Sequence, residues 1–324
     1  VTYQEFLQSK IALASSSGFD CELSEINPLL KDHQKACVQW AVRGGRRALF
    51  ESFGLGKTMQ QLEIVRLILT KSRTGRNGLI VCPLGVRQEF IRDGNKLGLD
   101  VRFIRSDDEI RKDAGPLIYL TNYESIREEK IDPRIFEAVS LDEAAILRGF
   151  GGTKTFRKLM GMFEGSGTYR FVATATPSPN EFIELLAYAA FLDIMDVGQA
   201  KTRFFKRDST NADHLTIHPH KEKEFWLWVA SWAIFLQKPS DLGYSDEGYE
   251  LPPLDVRWHE IGTDYDNAGH ERDGQGRLIP DTSISVQNSA REKRQSLDAR
   301  VEKMMELRAE DPTAHRIIWH DLED

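Results

Sequence analysis

The residues best suited to chemistry stand at positions 51–58, Glu-Ser-Phe-Gly-Leu-Gly-Lys-Thr, between an apolar run ending at Phe50 and a helical pattern. Gly54 and Gly56 let the backbone around Leu55 fold tightly, so that successive N–H groups face an anion at a helix N-terminus. Lys57 would then reach the β- and γ-phosphates of a phosphate chain, and the Thr58 hydroxyl would ligate Mg²⁺. Glu51 replaces the first glycine of the general pattern GxxxxGK[ST]. A glycine turn ahead of a lysine-capped helix is the plainer reading of these eight residues.

A second cluster weighs against that plainer reading. Eighty-five residues beyond Lys57, the apolar run Val139–Leu141 ends in Asp142 and Glu143. An isolated acidic pair is usually a solvated turn. At the C-terminal edge of a buried strand, behind a phosphate loop, it reads as the other half of a nucleotide site. Asp142 would hold Mg²⁺ through water, and Glu143 would activate the water that attacks the γ-phosphate.

These groups need a scaffold, and the chain supplies the pattern of one. Short apolar runs alternate with helical stretches, as in a parallel sheet covered by helices on both faces. The expected strands are Ala48–Phe50, Leu79–Cys82, Val101–Ile104, Leu117–Thr121, Val139–Leu141 and Arg170–Ala173. Helices are expected at Thr58–Leu69, at 181–195 and, rich in aromatics, at 222–237. Further strands are expected at Val256–Ile261 and Arg316–His320, with a charged helix carrying Leu297, Val301, Met304 and Met305 between them.

Composition sets outer limits. The 324 residues are 40% hydrophobic and 29% charged, enough for a sizeable core. No run approaches the roughly 20 apolar residues that span a bilayer. The N-terminus has Glu5 and Lys10 inside an amphipathic pattern, unlike a signal peptide. Cys21, Cys37 and Cys82 are too few and too scattered for a disulfide framework or a zinc site, which points to a reducing cytoplasm. The net charge of −7 lies entirely beyond residue 196, because residues 1–196 hold 26 basic and 26 acidic side chains. The acidic total therefore does not exclude a nucleic-acid partner.

With these motifs in place the chain resembles a family. Residues 140–159 (SLDEAAILRGFGGTKTFRKL) and 169–192 (YRFVATATPSPNEFIELLAYAAFL) resemble motifs II and III of superfamily-two helicases, in the Swi/Snf-like branch. That branch carries an acidic residue where Glu51 stands. LLKDHQ (29–34) resembles the Q-motif, 80–90 motif Ia, 117–126 motif Ib, and 238–254 the segment that closes a first lobe. HRIIWHDLED (315–324) resembles the opening of a second lobe, in the style of bacteriophage and prophage helicases.

The resemblance implies a RecA-like first lobe over residues 1–261, with an N-terminal helical extension and a helical segment at 198–250. A flexible linker at 262–290 and an incomplete start of lobe 2 at 291–324 would follow. It implies an ATP- and Mg²⁺-dependent DNA motor, acting on double-stranded DNA in a bacterial or phage-infected cytoplasm. Gln34 would read adenine. Arg87, Thr121 and Asn122 would meet DNA phosphates, and Thr174 and Thr176 would link DNA to the ATP site. Ala145 stands where relatives carry a polar residue that joins motifs II and III, so coupling is expected to be looser or routed elsewhere. With its second lobe barely begun, the chain is expected to bind ATP and hydrolyse it poorly, its mate or a protein partner supplying the rest. A nucleotide-sensing docking module, or the motor part of a restriction or methylation system, remains the alternative.

Two clusters have plainer readings. Phe225, Trp226, Trp228, Trp232 and Phe235 could stack on bases, but their helical spacing favours lobe core. His214, His218 and His220 read as loop histidines.

Overall fold

Consecutive strand residues point to opposite faces, and a computed structural model of the chain shows both faces covered. It describes residues 13–72, 74–111, 117–144, 147, 154–164, 169–178, 180–207, 215–261, 293 and 296–319. Ala48 and Phe50 enter one apolar cluster and Leu49 the other. Leu79 and Val81 are likewise divided from Ile80 and Cys82. This two-sided burial is why the strands read as unbroken apolar runs.

The elements follow one another as α1 (Asp32–Gly44), β1 (Arg46–Glu51), α2 (Lys57–Lys71), β2 (Gly78–Val81), α3 (Arg87–Lys96) and β3 (Val101–Phe103). Next come β4 (Ile118–Thr121), α4 (Tyr123–Arg127), β5 (Ala138–Asp142), α5 (Lys154–Phe163), β6 (Tyr169–Thr174), α6 (Leu185–Phe191) and α7 (Val197–Phe204). A small antiparallel hairpin, β7 (Phe205–Arg207) and β8 (Leu215–Ile217), precedes α8 (Glu222–Ala230), β9 (Ala233–Leu236) and a late helix α9 (Leu297–Glu310).

The seven-stranded sheet has the order β3-β4-β2-β5-β6-β1-β9, and every pairing in it is parallel. All C-terminal strand ends therefore share one edge, where α/β sheets bind ligands. Strand β6 lies between β5 and β1, so Thr174 separates the acidic pair from the glycine loop.

Three expectations change. The helix expected over 222–237 stops at Ala230, and Ala233–Leu236 becomes edge strand β9, with Phe235 opposite Phe50. Pairing with the otherwise open edge of β1 outweighs helical spacing. The segment 198–250 is thus mixed rather than helical, and it holds the β7–β8 hairpin as well. Residues 256–261 and 316–319 carry no strand, having no ladder partner among the described residues, and His320 lies outside them. Within 181–195, the helix is confined to a 3₁₀ turn at Phe182–Glu184 and α6.

Residues 1–12 of the expected N-terminal helix lie outside the described residues, as does the expected linker at 262–290. Residues 13–22 are not helical; instead Ser17, Gly18 and Phe19 donate their N–H groups to the carbonyls of Gly44, Arg43 and Val42. They satisfy carbonyls that the end of α1 leaves open.

The chain divides into compact units at 1–250 and 251–324. The first holds the whole sheet. In the second, 251–261 lacks regular structure and α9 exposes Leu297, Val301 and Met305. No helix among the described residues is long and apolar enough to cross a membrane.

Candidate nucleotide site

The glycine loop leaves β1 and enters α2 through two left-handed residues, Gly54 at φ 82° and Gly56 at φ 85°. A side chain at Gly56 would be strained by that angle and would also place a Cβ 2.2 Å from Gln34 Nε2. Around Gly54, a Cβ would meet nothing within 4 Å, which leaves the outer face of the loop open.

Two amides brace this loop from below. Gln34, in the first turn of α1, donates Nε2 to the Leu55 carbonyl at 2.9 Å while its Oε1 accepts from Lys31 N. Gln60 donates to the same carbonyl at 3.2 Å and to Glu51 Oε2 at 2.7 Å. Gln34, expected as the adenine reader, thus has protein partners at both ends of its amide. Glu51 has no solvent exposure, and burial lifts its carboxyl to about 7 despite the Gln60 bond and nearby Lys57. The acidic residue at the glycine position is a buried support of the loop.

Lys57 Nζ donates to the carbonyls of Glu51 at 2.8 Å and Ser52 at 3.0 Å. Burial lowers its pKa, and the charges of Glu51, Asp142 and Glu143 oppose that shift. Gln61, one turn beyond Lys57 in α2, hydrogen-bonds Asp142, so the two sequence clusters, 85 residues apart, lie at the same sheet edge. Thr58 sits half-buried in the first turn of α2.

Asp142 ends β5, and burial pushes its carboxyl up to about 6. Its Oδ1 accepts from Gln61 Nε2 at 2.8 Å, and its backbone carbonyl accepts from the Tyr123 hydroxyl at 2.7 Å. Glu143 follows at φ 45°, a strained angle for a residue with a side chain, and Thr174 Oγ1 donates to its Oε1 at 3.5 Å. Thr176 donates its N–H to the same hydroxyl, at 3.2 Å. Thr174 is therefore the contact between β6 and Glu143, while Ala145 lies outside the described residues.

The donor set fits a magnesium–triphosphate group. A lysine, a hydroxyl at a helix start and oxygen ligands are what the hard Mg²⁺ ion and its phosphates require. Asp142 Oδ2 has no hydrogen bond among the described residues and would be free to reach the ion through water.

The expected DNA contacts are less uniform. Thr121 is fully buried and its hydroxyl donates to the Ile104 carbonyl at 3.0 Å, so it faces the core. Asn122 caps α4, accepting from Ser125 N at 2.8 Å. Arg87 is half-buried at the start of α3, 5.1 Å from the Phe103 ring centre. The other arginines around the start of β1 are engaged within the protein: Arg43 pairs with Asp20, Arg46 with Asp193, and Arg47 is buried over Trp40. Phe225, Trp228 and Trp232 are buried core, whereas Phe235 is exposed at the edge strand. His218 and His220 lie side by side, His214 is outside the described residues, and no group of metal-binding side chains occurs among those described.

Reading the sequence alone overlooks Gln60, Gln61, Tyr123 and Ser140. Two adjacent glutamines in the buried half of an apolar helix were the available signal, because buried amides must find partners.

A glycine loop after β1, an acidic pair after β5 and a parallel sheet flanked by helices together define the RecA-like fold of a P-loop nucleotide-binding lobe. A model of the SNF2-related domain matches residues 33–224, more than half of the sequence, and the chain belongs to that family. Among solved structures, the fold matches the SWI2/SNF2 ATPase core of Sulfolobus solfataricus in complex with dsDNA. That match has a TM-score of 0.50 and 21% identity, covering 66% of this chain and 46% of the other. The ATPase core domain of the same organism aligns at a TM-score of 0.48 and 20% identity, over 70% and 48% of the two chains. The chain thus spans about half the length of these structures. No curated protein matches its sequence significantly.

Proposed function

We propose that the chain is the ATP-binding lobe of an ATP-dependent DNA translocase. The observation that carries this reading is the bond from the helix that begins with Lys57 to Asp142, which puts the lysine and the Asp142–Glu143 pair at one sheet edge. On ATP binding, Lys57 exchanges the carbonyls of Glu51 and Ser52 for the β- and γ-phosphate oxygens. Gly54, Leu55 and Gly56 turn their N–H groups to the phosphates. Thr58 and, through water, Asp142 would hold Mg²⁺, which would offset phosphate charge when bound. Glu143 takes a proton from the attacking water as its oxygen bonds to the γ-phosphorus and the bond to ADP breaks. Gln34 would meet adenine with the second hydrogen of Nε2 and the second lone pair of Oε1, beyond its bonds to Leu55 and Lys31.

Double-stranded DNA is the proposed track. The solved core whose fold this chain shares was captured with dsDNA. Arg87 and the Asn122 backbone are the proposed phosphate contacts, replacing the buried Thr121 hydroxyl. The Thr174–Glu143 bond, with Thr176 beside it, would carry the signal between DNA and ATP. The bacteriophage or prophage subtype rests on segment 315–324 alone.

The test is ATP binding and hydrolysis with and without duplex DNA. Lys57→Ala should abolish nucleotide binding. Glu143→Gln should keep binding and lose hydrolysis by about 10² or more, the usual worth of a general base. Hydrolysis unaffected by Glu143→Gln would refute the assignment. ATP binding with no response to DNA would instead favour a nucleotide-sensing module.

A further inference from the structure

Gln61 stands four residues after Lys57, so both lie on one face of α2, a turn apart. Ser140 and Asp142 stand two residues apart on β5 and share a face of that strand. The side chain of Gln61 joins them. Its Nε2 donates to Asp142 Oδ1 at 2.8 Å, and its Oε1 accepts from Ser140 Oγ at 2.7 Å. Gln61 is 1% exposed and Ser140 is 0% exposed, so water does not compete for either bond.

The chain of bonds has one direction. An ionised carboxylate only accepts, so the amide must present NH₂ to Asp142 and oxygen to Ser140, whose hydroxyl must donate. The carboxylate plane is thereby held with Oδ1 occupied and Oδ2 left for the water of a bound ion. The same side chain ties the helix that begins with Lys57 and Thr58 to the strand that ends in Asp142. The distance between the two halves of the site therefore depends on it.

We infer that Gln61 is a positioning residue that aims Asp142 Oδ2 at the metal ion and holds it opposite Thr58. This inference rests on the ATP-site reading above. Gln61 touches neither nucleotide nor metal. Its effect should appear in metal affinity, where losing a group that orients a ligand costs about 10–100-fold.

The experiment compares full-length wild type, Gln61→Leu and Ser140→Ala, using Mn²⁺ as an electron-paramagnetic probe in the presence of a non-hydrolysable ATP analogue. Nucleotide affinity is measured separately in excess chelator. Gln61→Leu should weaken Mn²⁺ binding about tenfold or more and leave metal-free nucleotide affinity within about threefold. Ser140→Ala, which frees the far end of the amide, should fall between. In turnover, Gln61→Leu should lower kcat at limiting Mg²⁺ with little change in KM for ATP, and excess Mg²⁺ should restore most of the rate.

Mn²⁺ affinity within twofold of wild type in Gln61→Leu would overturn the inference. So would a parallel loss of metal-free nucleotide binding, which marks a merely structural residue. Should Gln61→Leu fail to fold, Ser140→Ala decides: weakened Mn²⁺ binding supports the inference and wild-type binding overturns it. Absence of nucleotide binding by the wild type would remove the site reading and this inference together. A nucleotide-binding wild type with a silent Gln61 removes this inference alone.

Discussion

Glu51 shows how one residue can carry a departure from a motif and its physical consequence. The position is fully buried, with Gln60 donating to one oxygen and the Cys37 thiol beside the carboxylate. Its folded pKa of about 7 exceeds the ordinary value of 4.5. Between those values, the folded state keeps a proton that the unfolded state has released. Stability should therefore fall as pH rises through this window, by up to about 3 kcal/mol, and the loss is complete above the folded value. Glu51→Gln removes the titrating group but can still accept the Gln60 bond. Denaturant unfolding without nucleotide should give this variant a flatter profile from pH 5 to 8 and higher stability at pH 8. A slope equal to that of wild type would exclude Glu51 as its source. The motif pattern named Lys57, Asp142 and Glu143, because their spacing from strand ends is local. The partners of the supporting amides were not legible, since they come from distant segments: Gln61 finds Asp142 across 81 residues, and Gln34, expected to read adenine, finds Leu55 across 21.

At the scale of elements, the aromatic segment is the instructive case. Trp228 is 1% exposed, stacked on Phe204 at 5.0 Å and set edgewise to Trp232 at 5.4 Å. It cannot present a face to a base. Trp228→Ala should cost about 3–5 kcal/mol, a drop in Tm of roughly 10 °C, while affinities for ATP and DNA in the folded protein stay unchanged. Calorimetry paired with binding measurements checks this; a DNA defect at unchanged stability would restore the stacking role. Spacing alone correctly favoured core here, yet misjudged the helix's length. Local pattern suits a helix through 237, but the free edge of β1 recruits Ala233–Leu236 as a strand. Among the described residues, the expected strands at 256–261 and 316–320 do not form, for the converse reason. Apolar residues become a strand only when another strand answers their N–H and C=O groups.

For the molecule as a whole, every contact described in the nucleotide site belongs to the unit spanning 1–250. Residues 1–250 prepared alone should therefore bind ATP within about twofold of the full chain, as titration calorimetry can measure. A loss beyond tenfold would show that 251–324 contributes to binding. The sequence by itself determined the parallel sheet, the order of its first six strands along the chain and the groups that could handle a triphosphate. Those properties follow from short-range rules: two-sided burial makes apolar runs, and a glycine turn before a helix makes an anion cradle. Tertiary structure alone decided that β6 would sit between the two halves of the site, bringing Thr174 to Glu143. It also turned Thr121 into the core and gave Gln61 its place between Ser140 and Asp142. Strand order and buried hydrogen-bond partners depend on which distant segments meet, and no local spacing records that meeting.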